Sequence, residues 1–262
     1  MTTILPRRGL LAAEWTKLRS VRSTPFLLLV AGTAAVTIGV VQARSTAQGW
    51  DSWSTRDRAE FDPVLGIFTG FQLAQFAFAL LGVLAVSTEF GTGTIRQTFI
   101  AAPRRHQVLT AKLTVVGGIA LAAGQALAFL TFFAGQFVLA SKQLDVSLAD
   151  PNVVRAVLGQ GFYLFAVAVI GVGIGAAIRH TAGAVATVTG LLFLTVMVFK
   201  AFTGAEPSNL THWALSSAAQ GLTWTTVPAP EWPSAGEGLL VCLTYLAATT
   251  GLAALSLRKR DI

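Results

Sequence analysis

A basic, polar segment, 88–112, separates two long apolar runs of this sequence. The segment contains one carboxylate, Glu89, and the basic residues Arg96, Arg104, Arg105 and Lys112. Side chains of these types form ion pairs and charge-assisted hydrogen bonds, and arginine does so through a planar fork of donors. The segment therefore predicts a surface that binds acidic or polar groups.

Motifs for catalysis and for nucleotide or metal binding do not occur in the sequence. There is no H-E-x-x-H, no G-x-S-x-G and no G-x-x-x-x-G-K-[ST], and the 3 histidines are not spaced as metal ligands. We therefore predict that the chain is not an enzyme and has no catalytic, metal-binding or cofactor-binding residues. If ATP drives its activity, a partner protein must bind that ATP.

The composition indicates an all-α integral membrane protein. Hydrophobic residues make up 53% of the 262 positions, charged residues only 12%, and the mean hydropathy is +0.65. Soluble proteins carry about 25% charged residues, and an apolar run of about 20 residues is long enough to cross a bilayer as a helix. The single cysteine, Cys242, excludes a disulfide within the chain.

Six membrane-spanning helices are expected within a single transmembrane domain, 1–262. They are predicted at about 25–41, 64–86, 113–140, 156–178, 182–202 and 238–257. The segment 204–236 is expected to be an extracellular loop, and its apolar middle, 210–222, predicts a surface or re-entrant helix.

The segment 10–22 precedes the first span and predicts an amphipathic helix on the membrane surface, or a basic flank that holds that span in place. Its candidate functional residues are Glu14, Trp15, Lys17 and Arg22.

The distribution of basic residues predicts the orientation. Of the 19 Lys and Arg residues, 13 fall in segments that would be cytoplasmic if the N-terminus is inside, and 6 fall outside. Because cytoplasmic segments are enriched in Lys and Arg, both termini are predicted to be cytoplasmic. This bias explains the net charge of +7 without nucleic-acid binding, and no nucleic-acid partner is expected.

The spans themselves are predicted to carry polar amides and no ionisable group at mid-membrane. Gln72 and Gln75 share one helix face, and Gln125 aligns with Gln136. Such amides either bond neighbouring helices or line a polar path. The candidate residues of a translocation path are Gln72, Gln75, Phe76, Phe193 and Phe199, although the phenylalanines would equally suit contact with lipid.

Glycines predict two further features. Gly171 and Gly175 are four residues apart in one span, which allows close approach of a neighbouring helix. Gly91 and Gly93 are expected to break the second span near the membrane surface. A short helix over about 94–101 would then follow and would end before Pro103.

The sequence resembles the membrane subunit of a bacterial type-2 (ABC-2) ABC transporter. Three motifs carry the resemblance, in the family's order: Glu14-x-x-Lys17-x-x-Ser20-x-Arg22; Glu89-x-x-x-Gly93-Thr94-x-Arg96 with Pro103-x-Arg105 and Lys112; and Arg258-x-Arg260-Asp261. It departs from the pattern in a doubled Gly-Thr after Phe90, which leaves the register of the motif's first half, Glu89 to Arg96, open.

The resemblance implies an exporter in the bacterial cell membrane, with 88–112 as the coupling segment. The implied partners are two copies of a separate ABC ATPase that binds ATP and Mg²⁺, a second permease chain that is identical or related, and membrane lipids. The implied substrate is amphipathic: a drug, an antibiotic, a peptide or a lipid-like molecule. The implied coupling residues are Glu89, Gly93, Thr94, Arg96, Pro103, Arg104 and Arg105.

Two other interpretations remain open. An integral-membrane enzyme that modifies lipids would have to use the neighbouring Arg105 and His106, which form the most suitable polar cluster near an interface. A non-transporting membrane anchor or sensor could recruit a cytoplasmic partner through the same basic segment.

Overall fold

The computed structural model describes residues 7–20, 23–101, 105–203, 211–226 and 232–259. The predictions for Arg22, Pro103 and Arg104 concern residues outside these ranges. Phe199 lies within α-helical backbone that the structure describes, but its side chain is outside the description. Over the described residues the chain is helical, and no strand occurs among them. This agrees with the all-α class predicted from composition.

Ten α-helices make up the described fold. The first five are α1 (Arg7–Ser20), α2 (Ser23–Gly49), α3 (Thr55–Ala59), α4 (Phe71–Thr92) and α5 (Thr94–Ala101). The others are α6 (Arg105–Leu139), α7 (Val153–Ile178), α8 (Thr181–Thr203), α9 (Leu215–Thr223) and α10 (Ala235–Lys259). Short 3₁₀ segments connect some of them.

Five helical segments among the described residues are long and apolar enough to cross a membrane. They are Thr24–Ser52, Gly66–Thr92, Arg105–Lys142, Val153–Ile178 and Ala235–Leu257. The chain is therefore a multi-pass membrane protein. The predicted fifth span coincides with α8, whose described apolar stretch, Thr181–Thr195, is shorter. The six-span topology stays a prediction.

Three of the helices depart from the predicted spans by more than three residues. Helix α2 continues past position 41 to Gly49, because the polar residues 42–48 include no glycine or proline and pack Ala43 and Ala47 into the interior. Helix α6 begins at Arg105, well before position 113, and α4 begins at Phe71 after a 3₁₀ turn over 66–70. Much of the segment 88–112 is thus helical rather than a loop.

Helix α7 lies at the centre of the bundle. In its most apolar stretch 78% of the residues are buried, against 22% in α2. Its small residues allow α4 to approach closely: a Cβ at Gly171 would lie 2.5 Å from the carbonyl oxygen of Ala79, and one at Gly175 would lie 3.0 Å from that of Val83. The close approach predicted from the glycine spacing is confirmed.

A short helix occupies the middle of the segment 204–236. Helix α9 buries Leu215, Ala218 and Leu222 against α7 and α10. Asp62 accepts hydrogen bonds from the backbone N–H and the hydroxyl of Thr225, each 2.8 Å long, and Arg155 Nη1 donates to the carbonyl oxygen of Leu222 at 3.2 Å. These bonds hold α9 at the end of the bundle opposite to α5.

Candidate functional site

Four charged residues from three helices meet where α1 packs beside the end of α4 and the start of α6. They are Glu14 and Lys17 on α1, Glu89 on α4 and Lys112 on α6, and we call them the charge cluster. Glu14 and Lys17 are three residues apart on α1, so both point to the same side of that helix. The cluster contains two carboxylates and two ammonium groups.

The four groups form a closed ring of ion pairs. Lys112 Nζ lies 2.7 Å from Glu14 Oε2 and 2.7 Å from Glu89 Oε1. Lys17 Nζ lies 2.9 Å from Glu14 Oε1 and 3.0 Å from Glu89 Oε1. Each carboxylate therefore bridges both lysines, and each lysine bridges both carboxylates.

Both ammonium groups use three hydrogen bonds, which is all that a lysine can donate. The third bond of Lys112 goes to the backbone oxygen of Ala85 at 3.2 Å. The third bond of Lys17 goes to the hydroxyl of Thr98 on α5 at 3.3 Å. The charge cluster therefore connects α1, α4, α5 and α6.

Three of the four side chains of the charge cluster are largely buried, so their ion pairs are poorly screened by water. The side chains of Lys112, Glu14 and Glu89 are only 3%, 5% and 12% exposed, whereas that of Lys17 is 41% exposed. Burial alone would lower the pKa of Lys17, but the hydrogen bonds and charges of Glu14 and Glu89 outweigh it and raise that pKa above 10.5. Lys17 therefore keeps its positive charge at neutral pH.

Gly93 separates α4 from α5. Its φ of 73° is in the left-handed region, which glycine adopts without a Cβ penalty, and it ends α4. Gly91, by contrast, lies inside α4, so the break predicted from both glycines occurs only at the second. The hydroxyls of Thr92 and Thr94 are 3.0 Å apart across the break. The two helices thus meet at a defined corner.

Helix α5 has one attached face and one open face. Ile95 is buried and Thr98 contacts the charge cluster, while Phe99 packs against the small cluster of Leu10 and Val108. On the other side Arg96 is exposed, as are Gln97 and, at 78%, Ile100. An exposed isoleucine four residues after an exposed arginine forms a mixed apolar and basic strip on one helix face.

Arg105, predicted to act with Arg96 in one surface, bonds to α10 and contacts the attached face of α5, opposite its open face. Its Nη1 donates to the backbone oxygen of Leu257 at 3.0 Å, and its guanidinium lies 5.5 Å from the ring centre of Phe99. Arg179, in the turn between α7 and α8, donates to the neighbouring oxygen of Ser256 at 2.8 Å. Both arginines thus bond carbonyls in the last turns of α10, where helices leave such groups without partners.

The other predicted residues have different surroundings. Trp15 is about half exposed on α1, opposite the charge cluster. His106 is exposed at the start of α6. The two neighbouring residues thus differ in their surroundings, since Arg105 contacts α10 and α5 and His106 is exposed.

The candidate path residues lie partly inside the bundle. Gln75 is buried and accepts a 2.5 Å hydrogen bond from the hydroxyl of Tyr163 on α7, while Gln72 is exposed. Phe76 stacks on Phe193 of α8 with ring centres 4.6 Å apart. Gln75 thus bonds two helices of one chain, which is one of the two roles predicted for the amides. The path itself stays a prediction.

Two members of this arrangement had no role predicted from sequence. Lys112 was recognised only as part of a motif, and Thr98 was not singled out at all. A lysine at the edge of an apolar run resembles an ordinary membrane flank, and its partner Glu14 is 98 residues away. The only local signal was the pair Glu14 and Lys17, spaced for one helix face.

Comparison with models of protein families gives a match over most of the chain. A family model described as "ABC-2 family transporter protein" matches residues 10–198, from α1 into α8, and includes every member of the charge cluster. A comparison with curated proteins gives no match to the chain.

Proposed function

The chain belongs to the ABC-2 family of transporter proteins, and from that premise we propose that it is the permease subunit of an ATP-driven exporter. The membrane-spanning helices and the family support a permease subunit. The direction of transport, the partner ATPase and the substrate class are parts of the proposal. They extend to this chain what the family resemblance implies.

The open face of α5 is the proposed docking surface for the ATPase, and this exposed face is the observation that carries the proposal. Arg96 and Ile100 present a charge and an apolar side chain together on one short helix. A partner could pair a carboxylate with Arg96 and cover Ile100, which combines a charge-assisted hydrogen bond with burial of apolar surface. The corner at Gly93 keeps α5 from continuing the axis of α4.

The charge cluster is the proposed route by which a displacement of α5 reaches the membrane helices. Thr98 joins α5 to Lys17, and Lys17 joins α1 to Glu89 on α4. Because Glu89 also pairs with Lys112, a shift of α5 would act on α1, α4 and α6 together. A ring of short ion pairs between buried groups resists separation, so it transmits displacement rather than absorbing it.

The complete transporter would contain two permeases and two ATPase subunits in the bacterial cell membrane. ATP and Mg²⁺ would bind to the ATPase subunits. The excess of basic residues at the end of the bundle that contains α5 supports a cytoplasmic position for that end and for both termini. The substrate would be amphipathic and would leave through a path formed between the two permeases.

Co-purification tests the docking surface. Arg96→Glu and Ile100→Asp are each expected to weaken binding of the proposed partner ATPase at least tenfold, because each change removes one half of the contact. Arg19→Glu is the matched control, since Arg19 is also an exposed arginine of the same end of the bundle but lies on α1.

The readouts are the amount of ATPase retained and the vanadate-sensitive ATP hydrolysis of the complex. Equal retention by the Arg96→Glu, Ile100→Asp and Arg19→Glu variants would refute docking on α5. No ATPase retained by the wild-type chain would refute the proposed exporter and would favour the anchor or the lipid-modifying enzyme.

A further inference from the structure

A cavity of about 650 Å³ lies between α1, the start of α2 and the second half of α4. Ligand sites in proteins usually have volumes of about 300–1,000 Å³. Most of its wall is apolar and includes Leu18, Leu27 and Leu84, whereas one side of it is formed by Glu14, Lys17 and Glu89 of the charge cluster. The lining is thus apolar on one side and charged on the other, which matches the tail and the head of an amphiphile.

Two carboxylates and one ammonium group form the polar side. Glu14 and Glu89 contribute the carboxylates to the described lining, and Lys17 contributes the ammonium group. Lys112 is not among the described lining residues, but its Nζ lies 2.7 Å from an oxygen of each carboxylate and completes a neutral ring. A ligand in the cavity would thus contact two carboxylates and one ammonium group of that ring.

One carboxylate oxygen on this side can accept a further hydrogen bond. Glu89 Oε1 accepts from both lysines, whereas Glu89 Oε2 is shielded from solvent and has no hydrogen-bond partner among the described residues. An ionised carboxylate oxygen that is buried without a donor is unfavourable. A donor from a ligand would relieve that cost, and a positively charged donor would relieve it most.

We propose that this cavity binds an amphiphile with a primary ammonium head and an alkyl or acyl tail, the head at Glu89 and a chain of the tail among the leucines. The unpartnered carboxylate oxygen selects the ammonium over a neutral or anionic head, since a charged donor forms the stronger hydrogen bond and an anionic carboxylate has no donor to offer. The site exists within one chain and needs no ATPase, so the proposal stands apart from the proposed transport function. Two sources share this head group, a free alkylamine and the lipid phosphatidylethanolamine.

Equilibrium binding of three probes tests the site. Dodecylamine, dodecanol and dodecanoate have chains of equal length and differ in the charge of the head. Saturable binding to the full chain in phosphatidylcholine nanodiscs, corrected for empty nanodiscs, is expected for dodecylamine at one molecule per chain. The alcohol and the carboxylate are each expected to bind at least tenfold more weakly.

Variants localise the binding. Glu89→Gln should weaken dodecylamine binding at least tenfold and leave dodecanol unchanged, whereas Leu84→Trp should fill the cavity and abolish binding of both. Controls are Glu60→Gln, at an exposed carboxylate, and Leu243→Trp, at an exposed leucine of α10, and both should bind as the wild type does.

Equal binding of the amine and the alcohol would overturn the proposal, and so would amine binding that survives Leu84→Trp. If the Glu89→Gln variant fails to fold, the proposal is still tested by comparing the three probes on the wild type and on the Leu84→Trp variant. Nanodiscs with phosphatidylethanolamine distinguish the sources. Weaker dodecylamine binding there indicates that the lipid occupies the site, and unchanged binding indicates a free amine; either result supports the ammonium site.

Discussion

Lys112 on α6 and Glu14 on α1 form an ion pair 2.7 Å long, although 98 residues separate them in the sequence. Both side chains are almost completely buried. Helix α1 precedes the first apolar helix, yet this contact fixes it to the third long helix of the bundle. The buried ion pair with α6 therefore helps to determine where α1 lies.

Replacing Lys112 by methionine is expected to destabilise the protein by about 3–5 kcal/mol, because two buried carboxylates would then share the single ammonium of Lys17. Thermal unfolding in detergent measures the loss. Lys142→Met is the control, since Lys142 pairs with Asp51 on the surface and its removal should cost about 1 kcal/mol or less.

A double-mutant cycle checks the assignment of that loss to the ring. Glu14→Gln combined with Lys112→Met should be less destabilising than the sum of the single changes, by about 0.5–3 kcal/mol. Strict additivity would show that the two side chains act independently, which would contradict the ring of ion pairs.

The contribution of Lys17 should be insensitive to pH near neutrality. Its folded pKa is raised above 10.5, so its stabilisation is fully present below pH 10.5 and is lost as the pH rises through the folded value. The difference in melting temperature between the wild type and Lys17→Met should stay constant from pH 6 to pH 9, roughly, and should shrink only above 10.5. A difference that changes between neutral and mildly acidic pH would contradict this assignment.

Two neighbouring glycines should respond to alanine in opposite ways. Gly93→Ala places a Cβ on a residue with φ of 73° and should cost about 1–2 kcal/mol. Gly91→Ala lies within α4 with no atom within 4 Å of the new Cβ and should be neutral or stabilising by up to about 1 kcal/mol. Thermal unfolding compares them, and a larger loss at Gly91 would show that the corner does not depend on the left-handed residue.

Close packing of α4 on α7 gives a further test. A Cβ at Gly82 would collide with the carbonyl oxygen of Ala168, and backbone cannot yield as a side chain can. Gly82→Ala should therefore cost about 1–3 kcal/mol or more, whereas Gly190→Ala, where nothing lies within 4 Å, should not destabilise. Both variants are measured by thermal unfolding in detergent, and equal melting temperatures would contradict the tight contact.

Several features followed from local properties of the sequence alone. Hydropathy predicted an all-helical membrane protein, because a run of about 20 apolar residues has few other stable environments. The spacing of Gly171 and Gly175 predicted a close helix contact, and the structure shows the partner to be α4. These predictions succeed because helix geometry relates residues only a few positions apart.

Other features were decided by tertiary structure. Hydropathy ended the first span at position 41, whereas helix α2 continues beyond it and buries Ala43. Hydropathy also began the third span at position 113, whereas helix α6 begins earlier and includes Lys112, which pairs within the charge cluster. The charge cluster unites residues 14, 17, 89 and 112, and no local pattern states that α1, α4 and α6 meet there. A buried ion pair depends on where helices pack, and packing is a property of the whole bundle.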